Sequence, residues 1–346
     1  NQEGPIPGPS SHGLRISLEG KINLRRDLAQ DTCPGCIRSA AFAAVISGVL
    51  LGLGLINAFF LLPLQFIKSR RGASPFVFAA LGSLLIGGMF WLLRGPETGD
   101  LLGFLPAVGM VAGLAILSWN DLVSDFVLSP WLRITLAAFV AATSTAVGLI
   151  ALDSPEVWQQ VADLLADSPE LAPLFQGAMP GGSTELVSLM RAVISRSLVF
   201  SSGLGLLMAY GVGRAMARGS LELIRPLSRF ALPAAMVWGF ILPAAGLMLA
   251  ERFAFEVGAV IFWNLFLLVV FLYGLKGLAI IANASLRRPL LRAALPGLII
   301  IGVLVPGINI VLAIALVLLG ISSVWIRYSD GTDVSAAGDA GSAGDA

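Results

Sequence analysis

The chain of 346 residues is 57% hydrophobic and 12% charged, with a mean hydropathy of +0.88. Soluble domains carry about 25% charged residues, so this composition indicates many apolar segments inside a bilayer. A net charge of +1 provides no basic stripe for nucleic acid, and two Cys exclude a disulfide framework.

Residues 1–38 read as a disordered polar leader, rich in Gly, Pro and Ser near its start. The polar part is too long before the first apolar run for a secretory signal peptide. It ends in Cys33-Pro34-Gly35-Cys36, a C-x-x-C pair without the βαβ context of a redox dithiol. The first apolar run, Ser39–Ile67, contains Asn57 and Pro63. It is either one long span or a hairpin turning near Gly54–Asn57. Arg38 at one end and Lys68, Arg70 and Arg71 at the other favour the hairpin, since both groups prefer the cytoplasm. Halves that are short for a ~30 Å hydrocarbon core favour the single helix. Ala40, Ala44, Gly48 and Gly52 recur every four residues and form a smooth stripe. Such a stripe serves intramolecular packing or the docking of a separate subunit.

Further spans are expected at Ala73–Leu93, Leu101–Ser118, Trp131–Leu152, Ser197–Gly213, Phe230–Ala250, Val257–Ile281 and Ala293–Leu319. The last contains Pro296 and Pro306, and is a single span, a broken helix or a short hairpin. Phe230–Ala250 and Val257–Ile281 flank a short charged hinge, Glu251–Glu256. Basic residues cluster in 68–71, 213–229 and 282–292, which the positive-inside rule assigns to the cytoplasm. Trp119–Pro130 should lie on the same side, yet holds Asp121 and Asp125 and no basic residue. Asp153–Met190 then falls outside. In it, Asp-Ser-Pro-Glu occurs at 153–156 and 167–170, and each copy reads as the start of an amphipathic helix, with Ser as N-cap and Pro at the first helical position. Residues 39–328 thus form the bundle, and 329–346 a disordered acidic tail.

No phosphate loop and no H-E-x-x-H occurs, and the lone His12 sits in the leader. The expectation is a non-enzyme with no cofactor and no metal site. Polar residues inside apolar spans are the better lead. In Val257–Ile281, Tyr273, Lys276, Ile280 and Asn283 share a face, while Asn264 lies about 120° away from Lys276. Lys276 also has the reach to snorkel, and Asn264 suits an interhelical hydrogen bond. Arg196 opens the Ser197–Gly213 span. The candidate ligand-binding set is Asn264, Tyr273, Lys276, Trp238 and Arg196; the candidate docking face is Ala40, Ala44, Gly48 and Gly52.

Phe230-x-x-Pro233, Val237-Trp238, Asn264 and Leu272-Tyr-Gly-Leu-Lys-Gly-Leu-Ala279 together resemble the YybS-like family of predicted bacterial membrane proteins. Gly320-Ile321, Trp325 and Arg327 resemble its close, and LPLQFIKSRRG (62–72) its first loop. Lys276 stands where Gln is expected, and Ser322-Ser323 where an Asp is usual. The family is similar in general fold to the S-components of energy-coupling-factor transporters and to MreD. The resemblance implies an all-α polytopic transmembrane bundle of the bacterial inner membrane, here of about eight spans. It further implies a small-solute-binding transport component with a separate transmembrane/ATPase module as partner, the small-residue stripe being the docking face. The alternative is an MreD-like scaffold or assembly factor with no small ligand. The lipid bilayer is a partner in either case, and nucleic acid in neither.

Overall fold

In the computed structural model the described residues are 34–53, 59–93, 104–119, 128–152, 155–166, 182–219, 227–288 and 308–326. They form ten helices and, among the described residues, no strand. These are α1 (Pro34–Gly52), α2 (Leu61–Arg71), α3 (Ala73–Leu93), α4 (Leu105–Leu117), α5 (Pro130–Leu152), α6 (Pro155–Ala166), α7 (Gly182–Arg218), α8 (Met236–Arg252), α9 (Glu256–Arg287) and α10 (Ile308–Ser322). Five of them, α1, α3, α5, α7 and α9, are long and apolar enough to cross a membrane. Helices α4 and α10 are apolar but shorter. The expected eight spans thus meet five of full length among the described residues. Phe42, Phe78, Leu85, Met208, Leu242 and Ile314 are exposed, as suits apolar helices that face lipid. The chain is a multi-pass integral membrane protein.

The chain divides into two compact units. Unit 1 comprises Asn1–Trp158 and Ser202–Gly219, and unit 2 comprises Gln159–Ser201 and Ser220–Ala346. In unit 1, α1 packs on α3, α4 on α5, and α2 on α1, α3 and α4. The run 39–67 is broken into α1 and the 11-residue α2. The two run antiparallel: Ser47 Oγ donates to the Phe60 carbonyl at 2.6 Å, while an Arg71 guanidinium N lies 3.9 Å from Cys36 Sγ at the other end. The hairpin is therefore the observed form; the expected turn near Gly54–Asn57 falls on residues outside the described ones. At ~1.5 Å per residue α2 is a half-span, and it buries Leu61, Leu64, Gln65, Ile67 and Lys68. Helix α1 begins at Pro34 rather than after residue 38, with Pro in the first turn where its missing N–H is harmless.

Small residues set the helix contacts of this unit. Ala40 and Ala44 are buried. A Cβ on Gly48 would meet Ile86, one on Gly52 would meet Phe90, and one on Gly82 would meet Ala44. The stripe on α1 thus seats α3. Likewise a Cβ on Gly113 of α4 would meet Leu206 and the Ala137 carbonyl, against the buried Ala137, Ala138 and Ala141 of α5.

In unit 2, α9 packs on both α8 and α10. The α8–α9 turn follows the expected hinge, with α8 ending at Arg252 and α9 starting at Glu256. Ala254 takes a positive φ of 52°. The Phe255 N–H donates to the Ala250 carbonyl at 2.8 Å and the Ala254 N–H to that of Glu251 at 3.3 Å, the paired bonds of a Schellman cap. Helix α8 starts only at Met236, after a tight turn in which the Met236, Val237 and Trp238 N–H groups donate to the Pro233, Ala234 and Ala235 carbonyls in i to i+3 steps. The crossing of α9 and α10 brings backbones together: a Cβ on Gly277 would run into the Leu316 carbonyl, and one on Gly320 into the Tyr273 carbonyl.

Helix α6 begins at Pro155 as the first Asp-Ser-Pro-Glu copy requires, with Glu156, Gln159, Gln160 and Asp163 exposed and Ala162 buried. The second copy, 167–170, lies outside the described residues, as do 1–33 with Cys33, 289–307 and the tail. Helix α7 starts at Gly182 and absorbs the expected span 197–213 into one 37-residue helix. Its polar start, with Glu185, Ser188 and Arg191, continues the helix that an apolar window sees only from Ser197.

Candidate functional site

Asn264 on α9 is 8% exposed, and its amide reaches one rung of the α7 hydrogen-bond ladder. Its Nδ2 donates to the Ser195 carbonyl at 2.7 Å, and its Oδ1 accepts from the Val199 N–H at 2.9 Å. Nδ2 also donates to the Val260 carbonyl at 2.9 Å. Ser195 and Val199 stand four residues apart, the two ends of one i to i+4 step. The side chain therefore ties α9 to α7 backbone to backbone. A flipped amide would set donor against donor at Val199, so the network fixes its orientation.

Tyr273 stands nine residues further along α9, on the opposite face. It is 2% exposed, its carbonyl sits at the Gly320 crossing, and its hydroxyl meets no hydrogen-bond partner among the described residues. Lys276 Nζ donates to the Phe230 carbonyl at 3.3 Å, closing the non-helical entry to α8. Trp238 is 62% exposed on α8, and Arg196 is exposed on α7. Among the described residues no hydrogen bond joins any two of the five. Phe200 meets Phe271 edge-on at 5.5 Å, and Phe240 lies 5.0 Å from Phe266, so apolar packing fills much of the space around α9.

A second polar group lies in unit 1, built on α2. Gln65 is 1% exposed, Lys68 5% and Ser118 0%. Lys68 Nζ donates to the Ser118 carbonyl at 3.1 Å, and Arg133 donates to the Leu117 carbonyl at 3.0 Å. Two cations thus cover carbonyls that the end of α4 leaves without helical partners, where the helix dipole is negative. Ser118 Oγ donates to Gln65 Oε1 at 3.4 Å, Gln65 Nε2 to Ser69 Oγ at 3.3 Å, and Arg218 Nε to the Ser69 carbonyl at 2.8 Å. A Cβ on Gly213 of α7 would meet Gln65. Sequence reasoning did not select Gln65, Lys68 or Ser118. The readable signal was that Leu61, Gln65 and Lys68 fall on one face of a helix.

The stretch 119–130 has no basic residue of its own. Lys68 and Arg133 bring positive charge to its start at Ser118. Among the described residues of unit 1, every Lys and Arg (Arg38, Lys68, Arg70, Arg71, Arg133, Arg214, Arg218) gathers at this one end. No group of three or more metal-ligating side chains occurs among the described residues. No family model, curated protein or solved structure matches the chain.

Proposed function

We propose that this chain is a non-enzymatic component of a bacterial inner membrane, acting as a scaffold or assembly factor rather than as a receptor for a small solute. The observation that carries this reading is Asn264. Its two donors and its oxygen are taken by Ser195, Val260 and Val199, so the side chain that best suited a ligand holds two helices together. Tyr273 and Lys276 reinforce it, one packed beside a helix crossing and the other on a backbone carbonyl. The YybS-like pattern fits the same reading: Tyr273, Gly277 and Gly320, three of its residues, meet at the α9–α10 crossing.

A second reading, an S-component-like solute carrier driven by a separate ATPase module, is favoured by one feature. The first apolar run is broken, and its half-helix buries Gln65 and Lys68, a device by which transporters build sites within the membrane. Native mass spectrometry of the protein gently extracted from its own host membrane separates the two. Co-purifying envelope or assembly proteins without a small-molecule adduct are expected. A stoichiometric solute adduct, or co-purifying ATPase subunits, would replace the scaffold with the carrier.

A further inference from the structure

The α1–α2 hairpin leaves a cleft of about 490 Å³ on unit 1, within the range of about 300–1,000 Å³ common for small-molecule sites. Its walls are apolar, with Phe42 and Ile46 from α1 and Leu62 and Phe66 from α2. Its mouth is cationic, formed by Arg38, Arg70 and Arg71. No acidic residue lines it. The three arginines are exposed. Arg70 lies over the Phe66 ring at 5.0 Å, and Arg71 approaches the Cys36 sulfur. None of the three meets a carboxylate among the described residues.

Charge and shape together select the occupant. A free anion gains nothing from the apolar walls, and a neutral lipid gains nothing from three guanidiniums. An amphiphile with an anionic head uses both. From Arg70 down to Leu62 is eight residues, ~12 Å along α2, the depth of the upper part of an acyl chain below its headgroup. Guanidinium forks match phosphate oxygens in pairs, and basic pockets between membrane helices on the cytoplasmic side hold anionic headgroups. We propose that this cleft binds one anionic phospholipid, its phosphate on Arg38, Arg70 and Arg71 and one acyl chain along Phe42, Ile46, Leu62 and Phe66. The site is independent of whether the chain is a scaffold or a carrier.

The test is native mass spectrometry of the full chain in mild detergent, titrated with phosphatidylglycerol or with phosphatidylcholine of the same acyl chains. Phosphatidylglycerol should be retained about tenfold better, the scale set by basic residues beside an anionic lipid. Millimolar inorganic phosphate should not displace it. R38Q/R70Q/R71Q should fall to the phosphatidylcholine level, while R252Q/R288Q, which removes two exposed arginines of unit 2, should not change retention. I46W keeps all three charges but fills the apolar part, and should weaken phosphatidylglycerol severalfold. Equal retention of both lipids by the unaltered protein would overturn the site without recourse to any variant. So would a wild-type protein that takes no phosphatidylglycerol because its own chain covers the cleft. Displacement by phosphate would mean a bare anion site, and full retention by I46W would mean diffuse surface attraction; either rejects the proposal.

Discussion

The two units solve the same problem, polar groups on apolar helices, in opposite ways. Unit 1 collects its positive charge at one end, where Lys68, Arg133 and Arg218 cap carbonyls of neighbouring elements. Unit 2 keeps a polar side chain within an apolar span and satisfies it by backbone: Asn264 on α7. It adds a crossing in which glycines let carbonyls come close. The difference follows from the solvent. A cation near the interface can be compensated by water or headgroups, and so tolerates imperfect partners. An amide away from the interface needs partners in the protein, which Asn264 has, whereas the Tyr273 hydroxyl meets none among the described residues. Unit 1 should therefore depend on charge placement, and unit 2 on steric fit and one amide.

The sharpest break of unit 2 is Gly277→Ala. The added methyl would run into the Leu316 carbonyl, an atom that moves only with its helix. We expect a loss of about 2–3 kcal/mol, read by thermal unfolding in detergent, and faster proteolysis of α10. Gly274→Ala, one residue-triplet away on the same helix, would place its methyl 3.6 Å from Val317 Cγ2, an ordinary contact. That variant should be neutral or gain up to ~1 kcal/mol from helix propensity. Equal effects at the two glycines would reject the close crossing.

Next in size is Asn264→Leu. It removes the bridge from α9 to Ser195 and Val199 of α7 and should cost about 1–2 kcal/mol, near the upper range for interhelical hydrogen bonds in membranes. Its counterpart in unit 1 is Lys68→Met, which leaves the Ser118 carbonyl at the end of α4 without this cation. We expect about 1 kcal/mol, diminished where water reaches the site. Measured by unfolding in the same detergent, Asn264→Leu should be the more damaging of the two. The reverse order would place the more demanding polar site in unit 1 and undo the contrast.

Much of this architecture was legible because apolar length is a one-dimensional signal. Ala73–Leu93 was read at the bounds the helix has, and the Glu251–Glu256 hinge separates α8 from α9 as expected. The break in 39–67 was half legible: arginines at both ends favoured a hairpin, and Arg71 beside Cys36 shows it. Pairings across the fold were not legible. Asn264 finds Val199 65 residues away, and Gly277 finds Leu316 through a crossing that only three-dimensional packing selects. The α1 stripe was readable as a smooth face, but the sequence left open which helix fills it; Ile86 and Phe90 of α3 do so. Lys68 read as one of several loop cations, because its burial depends on α4 ending beside it.

The smallest effect tests the turn that lets α9 meet both neighbours. Ala254 occupies the left-handed position of the Schellman cap, with φ 52°. Its Cβ is strained there by roughly 1–2 kcal/mol in general terms, a strain that glycine escapes. Part of the gain from glycine is cancelled by its greater freedom in the unfolded chain. Ala254→Gly should therefore stabilise by about 0.5–1 kcal/mol, with the Phe255 to Ala250 bond retained and no change in α9 packing. Thermal unfolding of this variant beside Gly277→Ala also orders the determinants of unit 2. If easing the turn offset most of the loss from Gly277→Ala, the turn rather than the crossing would hold α9 in place. Additive effects, expected for a turn residue and a glycine several helical turns into α9, leave the glycine crossing as the element on which unit 2 depends most.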